Sequence, residues 1–226
     1  APHNMSMKNQ KTITINPPFV FKNGHCFNDP ISIAYETHGK LNDKKDNAIL
    51  VTTGLSPSAH ICSSIEDQSH GWWEKIVGDE KYIDTRKYFV ICINSLGSCY
   101  GSSGPASYKP GSEEKYGLSF PEVTIEDIAL SMKPVIDELG IKTLHSIIGP
   151  SMGGMTAMSL VKQFPSITTN LILISTAAAC RPFSIAVRSL QRKLITSDQN
   201  WESGNYRDTD LPLNGMKQAR YLGMVT

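Results

Sequence analysis

The stretch SIIGPSMGGM (146–155) constrains the fold of this chain more than any other. Ser146, Ile147 and Ile148 read as the end of a buried strand, and residues 152–164 carry the pattern of a helix. Between them, Gly149-Pro150-Ser151-Met152-Gly153 fits G-x-S-x-G, the sequence of a sharp strand-to-helix turn with a serine at its tip. Such a turn strains the serine backbone and pushes its hydroxyl out of the sheet. Residues two positions to either side must be small, because larger side chains would collide where strand and helix close up. Gly154 gives the helix further room against the neighbouring strand. A glycine-rich turn with a passive serine is the plain alternative. The strand–turn–helix context favours a nucleophile at Ser151.

The remainder of the chain supplies a matching framework. AILVTTG (48–54) and YFVICIN (88–94) are short, nearly continuous apolar runs, suited to central strands buried on both faces. ISIAYETHG (31–39) alternates like a strand with one solvated face, and Asn23-Gly24 inside KNGH (22–25) is a hairpin signal. TIEDIALSMKPVIDELG (124–140) reads as a helix with Thr124 as N-cap, Asp127 three residues on, Pro134 inside it and Gly140 as its stop. NLILIST (170–176) completes another β-α-β step, and PFSIAVRSLQRKLITSD (182–198) again has helical spacing. Strands alternating with helices predict an α/β fold with a mostly parallel sheet. Ligands bind such sheets beyond the carboxyl ends of the strands, where Ser151 and Gly54-Leu55 both fall. The loop GLSPSAH (54–60) is therefore expected to reach the same pocket. NSLGSCYGSSGPASY (94–108) reads equally as a surface loop or as pocket lining.

Composition excludes several partners. Lys plus Arg number 22 against 21 Asp plus Glu, so the net charge of +1 offers no electrostatic footing for nucleic acid or an anionic membrane. No apolar run approaches the roughly 18 residues of a membrane span, and the first residues lack the apolar core of a signal peptide. Five scattered cysteines, an odd number, argue against a disulfide framework and for a reducing, cytoplasmic setting. His60 and Cys62 are spaced to share a metal, but an ordinary loop pair is the stronger reading, and no metal is expected.

A serine hydroxyl attacks only when a base takes its proton. Turns of this kind are served in the chain order Ser, then Asp or Glu, then His. All six histidines (His3, His25, His38, His60, His70 and His145) precede Ser151. Three readings stand: a part of a longer chain, a rearranged triad with His60 or His70 as base, or an inert turn. GMKQARYLGMVT (215–226) stops inside a helical pattern without a cap, which favours the first.

GWWEKIVGDEKYIDTRKYFVICINSLGSCYGSSGPAS (71–107), GPSMGGM (149–155) and RYLGMVT (220–226) resemble the homoserine O-acetyltransferase family, over a span from about Pro17 to the end. The resemblance implies an α/β-hydrolase fold, with a mostly parallel central sheet and helices on both faces, cut before its helical lid is complete and before the last strands. Residues 1–16 would then be an N-terminal tail, in part an appended remnant ahead of Met5 or Met7. Residues 17–181 would be the first part of the core, and 182–226 the start of the lid. The resemblance also implies a Ser-Asp-His triad used for acyl transfer, its Asp and His lying beyond Thr226.

Carried over by residue, Ser151 matches the nucleophile, and Leu55 and Met152 match the backbone N–H donors of the oxyanion hole. Arg192 matches the arginine that holds the carboxylate of an amino-acid substrate. The chemistry agrees: two N–H donors must face the oxyanion, and Met152 opens a helix. A guanidinium fork suits a carboxylate, although Arg192 taken alone reads as a solvated helix arginine.

The implied reaction is ping-pong transfer from an acyl-CoA through an acyl-serine, with acetyl-CoA and L-homoserine as the leading pair. Pro150 (where the family usually has Gly), GLSPSAH and PFSIAVRSLQR (182–192) look more like a branch whose members succinylate serine. Succinyl-CoA with L-serine is therefore the first alternative, a water-using esterase the second, and a non-catalytic domain with a relic turn the third. CoA enters as cosubstrate, with no bound cofactor. The expected partners are these small molecules, with neither nucleic acid nor membrane, and the lid leaves room for a homodimer.

Overall fold

The computed structural model describes residues 8–225, so the reading of a remnant ahead of Met5 or Met7 lies outside them. The described chain forms two compact units, one of residues 8–116 and 120–178, the other of 117–119 and 179–225. In the larger unit the elements run β1 (Lys11–Ile15), β2 (Phe19–Val20), β3 (Cys26–Phe27), β4 (Ile31–His38), β5 (Ala48–Thr52), β6 (Val77–Gly78), β7 (Ile83–Asp84) and β8 (Phe89–Ile93). They continue through α1 (Ile125–Glu138), β9 (Leu144–Pro150), α2 (Met152–Gln163) and β10 (Thr168–Ile174).

The main sheet has the order β1-β4-β8-β5-β9-β10. β8, β5, β9 and β10 are parallel neighbours, whereas β4 runs antiparallel to both β1 and β8. The expected parallel sheet is thus present with an antiparallel margin. That margin corrects the tail boundary: Lys11–Ile15 pairs along β4 from Tyr35 to Ile31, so the sheet begins inside the segment read as tail. A strand of KTITI alternation had been hidden there by its short length and polar neighbours.

Side-chain alternation divides the core into two layers. Leu50, Ile91, Ile93 and Ile147 face α1 and α2, where Met132, Val135, Ile136 and Leu160 are buried. Val51, Val90, Cys92 and Ile148 point to the opposite face. Helices on both faces were expected. Among the described residues, that second face is covered instead by Ile61, Cys62, Val77 and Ile83 of an irregular segment, with Trp72 and Trp73 packed against them. The two-residue strands β6 and β7 are its only ladder.

α1 starts as its sequence predicts. Thr124 Oγ1 accepts from the Asp127 N–H at 3.3 Å, and Asp127 returns a carboxylate oxygen to the Thr124 N–H at 2.8 Å. The other Asp127 oxygen accepts from the Lys22 N–H at 2.7 Å, tying the β2–β3 hairpin to the helix. β4 departs from its reading as half solvated: both faces are buried, including Glu36 and His38. Its neighbours on both edges, and the segment covering the second face, remove the solvent that alternation alone would assign to it.

The loop 94–108 serves β4 as well. β8 pairs with β4 only from Tyr35 onward. Before that point, Ser103 Oγ accepts from the Ser32 N–H at 2.9 Å and Ser102 Oγ from the Ala34 N–H at 3.0 Å. In the smaller unit, α3 (Pro182–Thr196) and α4 (Leu213–Met224) pack together, and each buries an apolar side chain, Val187 and Ala219. Gly215 permits this approach, since a Cβ there would meet the Leu194 carbonyl oxygen at 2.5 Å.

Candidate active site

β9 ends at Pro150 and α2 begins at Met152, leaving Ser151 alone at the turn. Its φ of 55° and ψ of −126° lie in a region that only strain or a tight turn imposes on a residue with a Cβ. The backbone is held there from both sides. The Ser151 N–H donates to the Ile174 carbonyl at 2.9 Å, and its carbonyl accepts from the Gly154 N–H at 3.0 Å and from Thr176 Oγ1 at 2.6 Å. The side chain is exposed and makes no capping hydrogen bond.

Small residues make this turn possible. A Cβ on Gly149 would lie 2.6 Å from the Gly154 Cα, and one on Gly153 would lie 2.5 Å from the Thr52 carbonyl oxygen. The second contact also shows that α2 rests on the end of β5. Thr52 Oγ1 reinforces it, donating to the Gly153 carbonyl at 2.7 Å.

The loop leaving β5 runs beside the turn: a Cβ on Gly54 would lie 4.0 Å from the Pro150 carbonyl oxygen. Thr53 Oγ1 and Ser95 Oγ share a hydrogen bond of 3.1 Å at the ends of two adjacent strands. Leu55 follows, a residue 66% exposed. Leu55 and Met152 therefore lie on neighbouring segments, as an oxyanion hole requires. The helix start adds its partial positive charge at Met152.

Beyond Leu55 the loop enters a cavity of about 270 Å³ lined by Ser58, His60, Asp67, Ser69, Trp72 and Tyr100, among others. The 94–108 loop thus contributes Tyr100 to a pocket as well as serines to β4. His60 is almost wholly buried and bonded at both ring nitrogens. Nδ1 is 3.1 Å from Glu36 Oε2, and Nε2 is 2.9 Å from the Ser69 carbonyl. Burial pushes the His60 pKa down, but the Ser69 carbonyl and the Glu36 carboxylate outweigh it and leave the net shift upward. Asp67 is shifted below the usual carboxylate range, chiefly because it accepts from the Ser69 hydroxyl.

His60 therefore does not act as a base for Ser151 in this arrangement, since both of its nitrogens are engaged elsewhere. Among the described residues no group of three or more His, Cys, Asp or Glu side chains is placed to hold a metal ion. Cys62 is buried, with its thiol pushed up to about 12, first by burial and then by Glu74. Arg192 lies on α3 in the smaller unit, exposed, with its guanidinium 3.1 Å from Ser189 Oγ. Sequence reasoning missed Glu36, Ser69, Thr52 and Thr53. A charged residue inside the apolar run of β4 was the one available signal.

A strained serine delivered by a parallel strand to a helix start, with a second strand-end loop beside it, defines an α/β-hydrolase site. The family model for the alpha/beta hydrolase fold matches residues 60–226, and the chain belongs to that family. A serine O-succinyltransferase of Xylella fastidiosa (strain M12) is 49% identical over 212 residues, covering 94% of this chain and 57% of the relative. The chain thus spans little more than half the length of that curated relative. Among solved structures, a homoserine O-acetyltransferase from Bacillus anthracis superposes with a TM-score of 0.86 at 29% identity, over 97% of this chain and 61% of that one. Esterase E22 superposes with a TM-score of 0.84 at 32% identity, over 94% of this chain and 60% of that one.

Proposed function

We propose that this chain carries the nucleophile half of a CoA-dependent amino-acid O-acyltransferase, with Ser151 as the residue that is acylated. The observation that carries the reading is the exposed Ser151 hydroxyl on a backbone of φ 55°, with the Met152 helix start on one side and the Leu55 loop on the other. In the first half-reaction Ser151 Oγ attacks the thioester carbonyl, the Leu55 and Met152 N–H groups hold the oxyanion, and CoA leaves as thiol. In the second, the hydroxyl of an amino acid attacks the acyl-serine and frees Ser151. The proton is handled by an Asp-His pair outside these 226 residues.

For the donor and acceptor, the first alternative is better supported than the leading expectation. Acetyl-CoA with L-homoserine gives way to succinyl-CoA with L-serine, because the relative at 49% identity is a serine O-succinyltransferase and the homoserine O-acetyltransferase structure is at 29%. The sequence departures at Pro150 and in the 54–60 loop support the same branch. The esterase reading is retained on one observation, the 32% identity to esterase E22. Mass spectrometry of products from succinyl-CoA or acetyl-CoA, with L-serine, L-homoserine or buffer alone, tests all three. O-succinylserine supports the proposal, and free succinate at the same rate with and without amino acid overturns it.

Arg192 is proposed to hold the acceptor carboxylate. A charged hydrogen bond contributes about 1.5–3 kcal/mol, so Arg192→Ala is expected to lower acceptor kcat/KM by roughly 10- to 150-fold. CoA release in the first turnover should be unchanged. A burst that falls in parallel would remove Arg192 from this role. The scattered, unpaired cysteines fit the cytoplasmic setting proposed for the enzyme.

A further inference from the structure

We propose that the buried Glu36–His60 pair positions the oxyanion loop, with His60 acting through the Leu55 N–H rather than by touching substrate. The proposal rests on the roles given above to Ser151 and Leu55.

The loop 54–60 is tied down at its two ends. At the first, Thr52 Oγ1 holds Gly153 and Thr53 Oγ1 meets Ser95 Oγ. At the second, the His60 N–H donates to Ser58 Oγ at 3.2 Å, the His60 carbonyl accepts from the Trp72 N–H at 3.2 Å, and Trp72 Nε1 donates to the Ser58 carbonyl at 3.0 Å. Leu55 sits between these ends with an exposed side chain, so the aim of its N–H depends on both anchors.

The His60 ring locks the second anchor. A carbonyl oxygen only accepts, so the Ser69 carbonyl at 2.9 Å requires a proton on Nε2. The Ser69 hydroxyl donates to Asp67 Oδ1 at 2.6 Å, which leaves its oxygen as a further acceptor 3.0 Å from Nε2. The remaining proton lies between Nδ1 and Glu36, and it sits on the imidazole because imidazole is the stronger base. His60 is then an imidazolium with the Glu36 carboxylate at Nδ1 and Ser69 at Nε2.

Losing the Nδ1 proton turns attraction into repulsion. The Nε2 proton stays with Ser69, so a bare Nδ1 lone pair faces a carboxylate oxygen at 3.1 Å. Every titratable group around the ring has a place in this. Glu36 and His38 face it from β4, with His38 Nε2 3.4 Å from Glu36 Oε2 and otherwise unbonded. Asp67 and His70 face it from the covering segment, and Tyr100 from the opposite loop. Cys92 on β8 and Cys62 beside it are thiols shifted upward, mainly by burial, and remain uncharged.

The direction with pH follows. The His60 pKa in the folded protein is raised above its ordinary 6.5, so the hold on the loop is complete below that value. It is lost as pH rises through the raised folded value.

The test is single-turnover acylation of the intact enzyme by succinyl-CoA, followed as the succinyl adduct on Ser151 by quenched mass spectrometry from pH 6 to 10. His60→Gln and Glu36→Gln should each slow acylation at saturation by about 10- to 100-fold, as a misaimed oxyanion donor does. Half-saturation should stay within about three-fold, and the double variant should be no slower than the worse single one. The wild-type rate should fall on the alkaline side through an ionisation that His60→Gln lacks. That limb is read on the native protein, so the test survives if a variant folds poorly. Wild-type acylation in both variants, a loss that only tracks the unfolded fraction, or an unchanged alkaline limb in His60→Gln would overturn the proposal. If the wild type forms no adduct, the Ser151 reading fails and this inference falls with it. An adduct formed at the same rate in every variant sinks this inference alone.

Discussion

The turn at Ser151 and the loop that leaves β5 lie against each other, but they are held by different physics. The turn is shaped mainly by residues near it in sequence. A Cβ on Gly149 would meet Gly153 and Gly154, so these glycines let β9 and α2 close up. Ile174 and Thr176 add the hold on the serine backbone from the end of the next strand. The loop is shaped from a distance. Its far end depends on Glu36, which is 24 residues away in sequence, and its near end on Gly153, which is 101 away from Thr52. A site of this kind divides its labour, with a self-specified nucleophile and an oxyanion donor that inherits its position from the fold.

Substitutions can break this contrast or sharpen it. The largest effect belongs to the turn's chemistry: Ser151→Ala in the intact enzyme should lower turnover by something on the order of 10⁶, with little change in stability because one exposed oxygen is lost. Steady-state kinetics beside a denaturation curve checks both halves. A variant keeping a tenth of the activity would place the nucleophile elsewhere.

The next effect belongs to the loop's distant anchor. Glu36→Ala strands a buried His60 charge, and breaking a buried pair from one side costs about 3–5 kcal/mol. Urea unfolding measures it, and a cost below 1 kcal/mol would mean that water already reaches the pair. Gly153→Ala should cost less, about 1–3 kcal/mol, as overpacking of α2 against the β5 end. It should also depress acylation, since Met152 opens the same helix. If Gly153→Ala proves neutral, the approach of α2 to Thr52 is looser than the geometry implies.

The smallest effect lies where the two regions meet. Thr52→Val keeps the volume and deletes the hydrogen bond to the Gly153 carbonyl, a loss of about 0.5–1.5 kcal/mol. Its value is in a double-mutant cycle with Glu36→Gln. Additive effects on acylation would mean that the two ends of the loop act independently, and coupling would mean that Leu55 feels both at once.

Patterns with short range were legible in advance. The G-x-S-x-G turn, the capping box at Thr124 and Asp127, the Asn-Gly hairpin and the apolar runs of β5 and β8 all involve residues within a few positions of one another. Their geometry follows from sterics and hydrogen bonds within one or two turns of chain. Long-range features were not legible. The burial of Glu36 and His38, the pairing of Lys11–Ile15 along β4 and the replacement of a covering helix by an irregular segment were each misread or missed.

The sequence alone therefore determined that a strand, a strained serine and a helix must follow one another at 144–163, because glycines at those spacings serve no other tight junction so well. It also determined that, within these 226 residues, no histidine follows Ser151. Tertiary structure alone decided what holds the 54–60 loop beside that serine. The neighbours of β5 are set by sheet order, and Glu36 becomes a partner for His60 only when β4, β8 and the covering segment exclude water together. A buried charge pair is a property of that shared exclusion, which no single stretch of chain contains.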